Sequence, residues 1–298
     1  MPLVSMAQAV AGASPGGLAA FNVIELEHAE AITAGAEAAG RPVVLQISEN
    51  TADYHGALAP LAVACLRIAA QSAAPVVVHL DHAVRRDLVT EAVELGIPSV
   101  MFDASALDYE ANVAATADVA RWCHERGAWV EAELGEVGGK DGVHAPGART
   151  DPAQAAAYVA ATGVDALAVA VGSSHAMLTR DAHLDNGLIR AIAAVAGVPL
   201  VLHGSSGVPD EGLVEAVRHG MVKINIATQL NKVLTGTVRD VLAADQAGVD
   251  PRRWLGPARS AVSQEVLRLL RLLADGAGTP YLPHGPGSRH RPSGAGHA

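Results

Sequence analysis

Aromatic residues are scarce in this sequence, and cysteine is nearly absent. Tryptophan, tyrosine and phenylalanine supply 3% of the 298 residues, whereas hydrophobic residues as a whole supply 50%. The core must therefore be built mainly from alanine, valine, leucine and isoleucine. The two cysteines, Cys65 and Cys123, are too few for a disulfide framework in a chain of this length and favour a reducing compartment.

Long apolar runs and blocks of basic residues are also missing. No apolar stretch approaches the ~20 residues of a membrane span, and residues 1–17 lack the basic start and apolar core of a signal peptide. Lys and Arg number 21 against 31 Asp and Glu, so the formal net charge is −10. We therefore expect a cytoplasmic protein that binds neither membrane nor nucleic acid. Phosphorylated ligands stay compatible with this charge, because backbone donors and a metal hold phosphate in acidic proteins.

Short runs rich in valine, isoleucine and leucine recur, and each is followed by a longer alanine-rich helical pattern. Eight runs predict strands, at 19–24, 43–48, 76–81, 99–103, 129–135, 166–172, 199–204 and 222–227. Helical patterns between them include 27–39, 53–71, 85–95, 108–126, 152–162 and 209–219. Eight alternating units predict a closed (β/α)8 barrel, the TIM-barrel fold. An open doubly wound sheet is the alternative, but no G-x-G-x-x-G follows the first strand.

Two predicted helices and then a glycine- and proline-rich tail follow the eighth strand. Two amphipathic patterns, at 228–245 and 250–275, predict helices that complete the barrel domain. Residues 276–298 are rich in glycine, proline and histidine and predict a disordered tail. We expect one barrel domain over 1–275 and a tail beyond it.

Polar side chains stand at the carboxyl ends of the predicted strands, where barrel enzymes place their active sites. His82, His175 and His203 lie at or just after strands three, six and seven. Three neutral imidazoles with one open position form a catalytic zinc site, so this trio predicts a metal centre. Simple hydrogen-bonded histidines are the alternative. Asp103 and Glu133 are suited to hold a second ion, to orient the histidines, or merely to cap the following helices.

Two segments after strands seven and eight, "HGSSG" and "NIAT", resemble phosphate-binding loops. Gly204 allows the backbone to approach a ligand closely, and Ser206 and Thr228 offer hydroxyl groups near helix amino termini. Phosphate sites in barrels are often built after these two strands. Ordinary helix capping by serine and threonine is the alternative for each segment.

Six motifs in chain order resemble those of the class II, metal-dependent ketose-bisphosphate aldolases: "HLDH", "SVMFDAS", "VEAELGEVGG", "AVGSSHA", "LHGSSG" and "KINIAT". The resemblance runs from the amino terminus to about residue 270. It implies a TIM barrel that reversibly cleaves a ketose 1,6-bisphosphate to dihydroxyacetone phosphate and an aldehyde such as glyceraldehyde 3-phosphate. It also implies a catalytic zinc ion and, as a further ion, sodium or potassium. It implies that the protein forms a homodimer or a homotetramer.

The resemblance assigns chemistry to individual residues. Asp81 matches the aspartate that transfers a proton to or from the aldehyde-derived hydroxyl, and Asn225 matches the asparagine beside the enediolate. Zinc polarises the ketone in this family, so no Schiff-base lysine is needed. The metal ligands of the family map to residues near the strand ends: His82, His175 and His203 for zinc, and Asp103 and Glu133 for a second or alternative position.

The resemblance also maps the substrate contacts. Ser48 matches a serine near the aldehyde carbonyl, and Gly204, Ser206 and Thr228 match the phosphate and monovalent-cation loops. Arg259, in "DPRRWLGPAR", matches a segment that can present arginine to the distal phosphate, sometimes across a subunit interface. A cap on a surface helix is the alternative for Arg259.

This chain departs from the family pattern near the substrate. Asp141, in the loop "KDGVHAPGART", is the nearest substitute for the mobile glutamate that acts as acid and base in the family. Ala227 stands where fructose-bisphosphate enzymes carry aspartate, and "NIAT" resembles tagatose-bisphosphate enzymes more closely. Ala176 and Leu178 replace a glycine and an aromatic residue after strand six. We therefore expect a tagatose-type before a fructose-type substrate.

Two other functions compete with an active aldolase. The altered loop is compatible with a non-catalytic subunit of an aldolase complex that needs a partner for activity. A metal-dependent hydrolase on the same barrel is the other alternative, but the first strand carries no H-x-H motif.

Overall fold

Eight parallel strands close into a barrel, and each strand pairs with its neighbours in chain order until the last meets the first. The computed structural model describes residues 3–134, 149–173 and 179–276. The predicted TIM-barrel fold is confirmed. The strands are β1 (Leu18–Asn22), β2 (Val43–Ser48), β3 (Val76–Ala83), β4 (Ser99–Phe102), β5 (Trp129–Leu134), β6 (Ala166–Val169), β7 (Leu200–Leu202) and β8 (Met221–Ile226).

Helices surround the barrel and follow the strands in alternation. They are α1 (Met6–Ala13), α2 (Leu26–Ala39), α3 (Glu49–His55), α4 (Ala59–Gln71), α5 (Arg86–Glu94), α6 (Tyr109–His124), α7 (Pro152–Thr162), α8 (Asn186–Ala196), α9 (Asp210–His219), α10 (Thr228–Ala244) and α11 (Arg252–Asp275). The two helices predicted after the last strand are present as α10 and α11. In the described part of the chain, no helix is long and apolar enough to span a bilayer.

The predicted helix at 53–71 is wrong, because two helices occupy this region. Ser48 caps α3 by accepting a hydrogen bond from Thr51 N, so the helix begins earlier than expected. Gly56 then adopts a left-handed φ of 76° and ends α3. That conformation costs glycine little and is a common way to end a helix.

Helix α1, which the sequence analysis did not predict, packs against the start of the strands. Its buried residues Met6 and Val10 form one apolar cluster with Leu18, Val44 and Val77. These three lie at or near the amino-terminal ends of their strands. Helix α1 thus closes the end of the barrel opposite to the carboxyl ends of the strands.

The upper interior of the barrel is polar, in contrast to the apolar layer between strands and helices. Gln46, His79, Glu131 and Lys223 are all buried on inward-facing positions of four different strands. Buried polar groups need partners, and these groups lie directly beneath the carboxyl-terminal rim. The tail predicted at 276–298 lies outside the described residues except for Gly276.

Candidate active site

Two consecutive residues of β3, Asp81 and His82, both reach into the same cavity at the carboxyl end of the barrel. Neighbouring residues of a regular strand point to opposite faces. Here the pairing with β4 shifts register between Leu80 and Ala83, and His82 has a φ of 50°. This local distortion turns His82 towards the side that Asp81 already faces.

His82 lies next to His203, which follows β7 and is fully buried. Their ring centroids are 4.5 Å apart, and the rings meet edge to face. The Nδ1 atom of His82 donates to Asp103 Oδ2 at 2.8 Å, and Nδ1 of His203 lies 3.4 Å from Glu133 Oε2. Ligand atoms lie within 4.8 Å of one another in each of two groups: Asp81, His82 and His203; and His82, Asp103 and Glu133.

A buried ion-pair network supports His203 from below. The Nε2 atom of His203 donates to Glu131 Oε1 at 3.0 Å, and Nζ of Lys223 donates to Glu131 Oε2 at 2.8 Å. His79 packs beside them, with Nδ1 hydrogen bonded to the Ser99 hydroxyl at 2.8 Å. Glu131 therefore fixes the orientation of the His203 ring, as a carboxylate behind a metal-binding histidine commonly does.

Burial and charge act against each other in this network. Burial alone would raise the pKa of Glu131, but the charge of Lys223 and the hydrogen bond from His203 hold that pKa well below its ordinary value. Burial alone would lower the pKa of His203, but its hydrogen bonds to Glu131 and Glu133 raise it to about 9. Burial and the neighbouring Lys223 charge lower the pKa of His79 to about 3, so His79 is a neutral packed residue.

Carboxamide groups from two strands, β1 and β8, hold the carboxylate of Asp81. Asn22 Nδ2 donates to Asp81 Oδ2 at 3.1 Å, and Asn225 Nδ2 donates to Oδ1 at 3.4 Å. Gln46 Nε2 in turn donates to Asn22 Oδ1 at 2.7 Å, which fixes the orientation of the Asn22 amide. Asp81 is buried and hydrogen bonded, yet one side still opens to the cavity.

The cavity has a volume of about 180 Å³ and combines residues from both halves of the chain. It is lined by Asn22, Gln46, Ser48, Asn50, Asp81, His82, Gly204, Ser205, Ser206, Asn225, Ala227 and Thr228. All the predicted substrate contacts except Arg259 therefore meet here. A larger open groove of about 520 Å³ lies at the amino-terminal ends of β7 and β8 and includes none of the predicted site residues.

The turn after β7 and the start of α10 form one wall of this cavity. Gly204 has a left-handed φ of 67° and begins a single 3₁₀ turn, Ser205–Gly207. The Ser205 hydroxyl donates to the carbonyl oxygen of Asn225, which joins this turn to β8. Thr228 is the first residue of α10. Backbone N–H groups at this helix start are suited to an anion.

Three predicted site residues are found neither in the cavity nor among the adjoining histidines and carboxylates of the described chain. His175 and Asp141 lie outside the described residues. Arg259 lies on α11, where its guanidinium pairs with Glu30 of α2. Within the described chain, Arg259 does not line the cavity.

Four supporting residues were not assigned a role from the sequence: Asn22, Gln46, Glu131 and Lys223, the partner of Glu131. A signal for Glu131 was present in "VEAELG", because Glu131 and Glu133 are two positions apart and share one face of β5. The same spacing relates Lys223 to Asn225 on β8. No comparable signal indicated that Gln46 would contact Asn22.

Residues 4–277 match the family described as fructose-bisphosphate aldolase class-II. The fructose-bisphosphate aldolase of Staphylococcus aureus (strain Mu50) is 39% identical over 272 residues, which cover 89% of this chain and 95% of that protein. The fructose-bisphosphate aldolase of Staphylococcus epidermidis (strain ATCC 12228) is 38% identical over 277 residues, with 91% and 97% covered.

Solved structures agree with this relationship. The YdjI aldolase from Escherichia coli K12 superposes with a TM-score of 0.80 at 29% identity, covering 92% of this chain and 98% of that one. A fructose-bisphosphate aldolase from Campylobacter jejuni shares the fold, with a TM-score of 0.77 at 20% identity and coverage of 92% and 96%. The chain therefore belongs to the class-II fructose-bisphosphate aldolase family and is an aldolase, a carbon–carbon lyase.

Proposed function

We propose that this aldolase reversibly cleaves a ketose 1,6-bisphosphate, of the tagatose or fructose type, to dihydroxyacetone phosphate and glyceraldehyde 3-phosphate. One observation carries the proposal. The ligand atoms of Asp81, His82 and His203 lie within 4.8 Å of one another beside a cavity that also contains Asn225 and the Gly204 turn. The proposed proton-transfer group (Asp81), the metal position beside His82 and His203, and the anion site at the Gly204 turn therefore adjoin one cavity.

The donor set fits a divalent metal ion, on which the class-II family depends. His82 and His203 offer imidazole nitrogens that are held in place by carboxylates, and we assign His175 as the third ligand. Imidazole and carboxylate donors together suit zinc. Asp103 and Glu133, with His82, form the group that we assign to a second or alternative position. When bound, the ion supplies Lewis-acid polarisation of the substrate ketone.

Glu131 prepares His203 for this role. It accepts the hydrogen bond from Nε2 of His203 and thereby directs Nδ1 towards the carboxylate of Glu133 and the proposed metal position. Lys223 balances the charge of Glu131 inside the barrel. Such carboxylate partners set both the tautomer and the ring orientation of a ligating histidine.

Asp81 is assigned to proton transfer at the hydroxyl that becomes the aldehyde oxygen. During cleavage its carboxylate accepts this proton, the carbon–carbon bond breaks, and the electron pair remains on the dihydroxyacetone phosphate fragment as an enediolate. Asn225 donates to the Asp81 carboxylate, and we assign to its amide a hydrogen bond with that fragment. Asp141 is assigned to exchange the proton at the enediolate carbon.

The phosphate of dihydroxyacetone phosphate is assigned to the wall formed by Gly204, Ser206 and Thr228. The backbone approach at Gly204 and the amino terminus of α10 support this assignment, and a sodium or potassium ion would offset part of the phosphate charge. Ser48 is assigned to the aldehyde end of the substrate. Arg259 is assigned to the distal phosphate of the substrate, which it would contact across the interface of a homodimer or homotetramer.

A cleavage assay with two substrates tests the proposal. Zinc-loaded protein is incubated with each bisphosphate, triose phosphate release is coupled to a dehydrogenase, and metal content is measured on the same sample. We expect release from both, faster from the tagatose form, with about one zinc per chain. The absence of release from either substrate would refute the assigned reaction. Zinc binding without proton exchange into dihydroxyacetone phosphate would favour the alternative function, a non-catalytic subunit that needs a partner protein for aldolase activity.

A further inference from the structure

Glu49, the first residue of α3, makes a contact that the assigned chemistry does not use. Its side chain is largely buried and reaches from the end of β2 to the turn after β3. Oε2 accepts hydrogen bonds from the backbone N–H groups of Val84 at 2.8 Å and Arg85 at 3.2 Å. Oε1 accepts a third from the Arg85 side chain Nε at 3.0 Å. One carboxylate therefore holds two consecutive residues of a turn.

This turn begins two residues after the strained residue of the site. His82 is the one non-glycine residue with positive φ in the described ranges, and this conformation is unfavourable for a residue with a β-carbon. Such a conformation persists only when the surrounding structure holds it. The contacts come from the ends of the two strands that flank β3. After β4, Asp103 N donates to the Ala83 carbonyl oxygen at 2.8 Å, and after β2, Glu49 accepts from Val84 N and Arg85 N.

The pairing of Glu49 with Arg85 is different from an ordinary surface ion pair. Asp53 also pairs with Arg85, at 2.8 Å from Nη2, but the Asp53 side chain is 59% exposed. The Glu49 side chain is 10% exposed. A carboxylate that gives up this much water needs hydrogen-bond donors in return, and backbone N–H groups provide them. The Glu49 carboxylate therefore fixes the position of the backbone at Val84.

We propose that Glu49 is a positioning residue, which holds the turn at Val84 and Arg85 so that Asp81 and His82 both face the cavity. The proposal rests on the roles assigned above to Asp81 and His82. Loss of the carboxylate would release the turn, let His82 relax towards a regular extended conformation, and move an imidazole away from the metal position.

Two variants test this role, Glu49→Gln and Glu49→Asp. Gln keeps the size but offers a single neutral acceptor oxygen, and Asp keeps the charge but is one methylene shorter. For both we expect zinc affinity, measured by competition with a chelator, to fall about tenfold, as for other residues that orient ligands. The kcat should fall by a similar factor, while KM changes by less than about twofold. Amide hydrogen exchange at 83–86 should become faster.

Asp53→Asn is the matched control, because it removes the exposed partner of Arg85 and leaves the backbone contacts of Glu49 in place. It should retain the zinc affinity, kcat and amide exchange of the original chain. If either folded Glu49 variant also retains all three, the proposal is overturned. Equal losses in Asp53→Asn would overturn it as well, since they would point to Arg85 alone.

The readouts separate this proposal from the proposed function. If the original chain cleaves no ketose bisphosphate, the proposed function fails, but zinc affinity and amide exchange still measure the effect of Glu49. If the original chain is active and the Glu49 variants match it, the positioning role alone fails.

Discussion

Asp81 illustrates, at the scale of a single residue, how a buried carboxylate stays ionised at the end of a strand. Burial raises its pKa, but the charges of His82 and His203 bring the pKa below its ordinary value. The amides of Asn22 and Asn225 also donate to its two oxygens. A bound cation would act in the same direction. Asp81 is therefore a carboxylate ready to accept a proton.

Asp81→Asn should separate the two proton transfers of the reaction. We expect kcat for cleavage to fall about 10²- to 10⁴-fold, because a general base is lost. Proton exchange at the enediolate carbon of dihydroxyacetone phosphate should continue, since that step is assigned to Asp141. Both rates can be measured on one preparation, by coupled assay and by deuterium incorporation. Normal cleavage by the variant would rule out Asp81 as the proton-transfer group.

His203 gives a prediction about pH in the metal-free chain. Its pKa is raised from 6.5 to about 9 by Glu131 and Glu133, against the effect of burial. A raised folded-state pKa stabilises the fold fully below 6.5, and this contribution is lost as the pH rises through about 9. A metal ion must displace the same proton.

Zinc affinity should therefore increase as the pH rises across that window. Competition titrations with a chelator at stepped pH values measure it directly. Glu131→Gln should move the increase to lower pH, because it removes the hydrogen bond that holds the proton on His203. An affinity independent of pH between these limits would contradict the assignment of His203 as a ligand.

At the scale of elements, small residues determine how closely the helices pack. A β-carbon on Gly35 of α2 would lie 2.7 Å from Val266 Cγ1 and 2.8 Å from the Ser263 carbonyl oxygen of α11. These distances are shorter than van der Waals contact. The two helices can therefore approach this closely only because position 35 has no β-carbon. An alanine-rich, aromatic-poor composition fits such packing.

Gly35→Ala should destabilise the protein by about 1–3 kcal/mol, because overpacking forces α2 and α11 apart. Gly236→Ala in α10 is the matched control. A β-carbon at Gly236 meets nothing within 4 Å, so alanine should stabilise the helix by about 0.5–1 kcal/mol. Denaturant unfolding of the two variants gives the comparison. Equal effects of the two substitutions would show that helix propensity, and not packing, dominates at Gly35.

At the scale of the whole molecule, the barrel separates stability from chemistry. Helix α1 closes the amino-terminal end with an apolar cluster, whereas the cavity and the proposed metal position lie at the carboxyl ends of the strands. Loops at the carboxyl end of a barrel carry function, and the opposite end contributes mainly to stability. Substitutions at the two ends should therefore have different consequences.

Met6→Ala tests this separation. Met6 is 1% exposed and packs in the cluster beneath the barrel, so truncation should cost about 2–5 kcal/mol of unfolding free energy. Below the lowered Tm, kcat and KM should match those of the original chain. Thermal unfolding followed by calorimetry and steady-state kinetics provide the two measurements. A changed KM at a temperature where the variant is fully folded would indicate coupling between the ends.

All eight strands could be predicted from the sequence, with every end within three residues, because a buried parallel strand needs a continuous apolar run. The convergence of His82 and His203 followed from placing both at strand ends. The break at Gly56 and the presence of α1 were not predicted. A glycine within a helical pattern has no fixed conformation until its neighbours pack. Helix α1 did carry local signals, a capping box of Ser5 with Gln8 and buried residues at the spacing of one helix face.

The sequence by itself determined the residue types at the rim, the order of strands and helices, and the membership of the barrel family. Only the tertiary structure decided that Glu131 meets His203 and Lys223, that Gln46 orients Asn22, and that Glu49 holds the turn after His82. The physical reason is range. Periodicity and capping act over a few residues, whereas these contacts join strands that are distant in the chain and meet only once the barrel has closed.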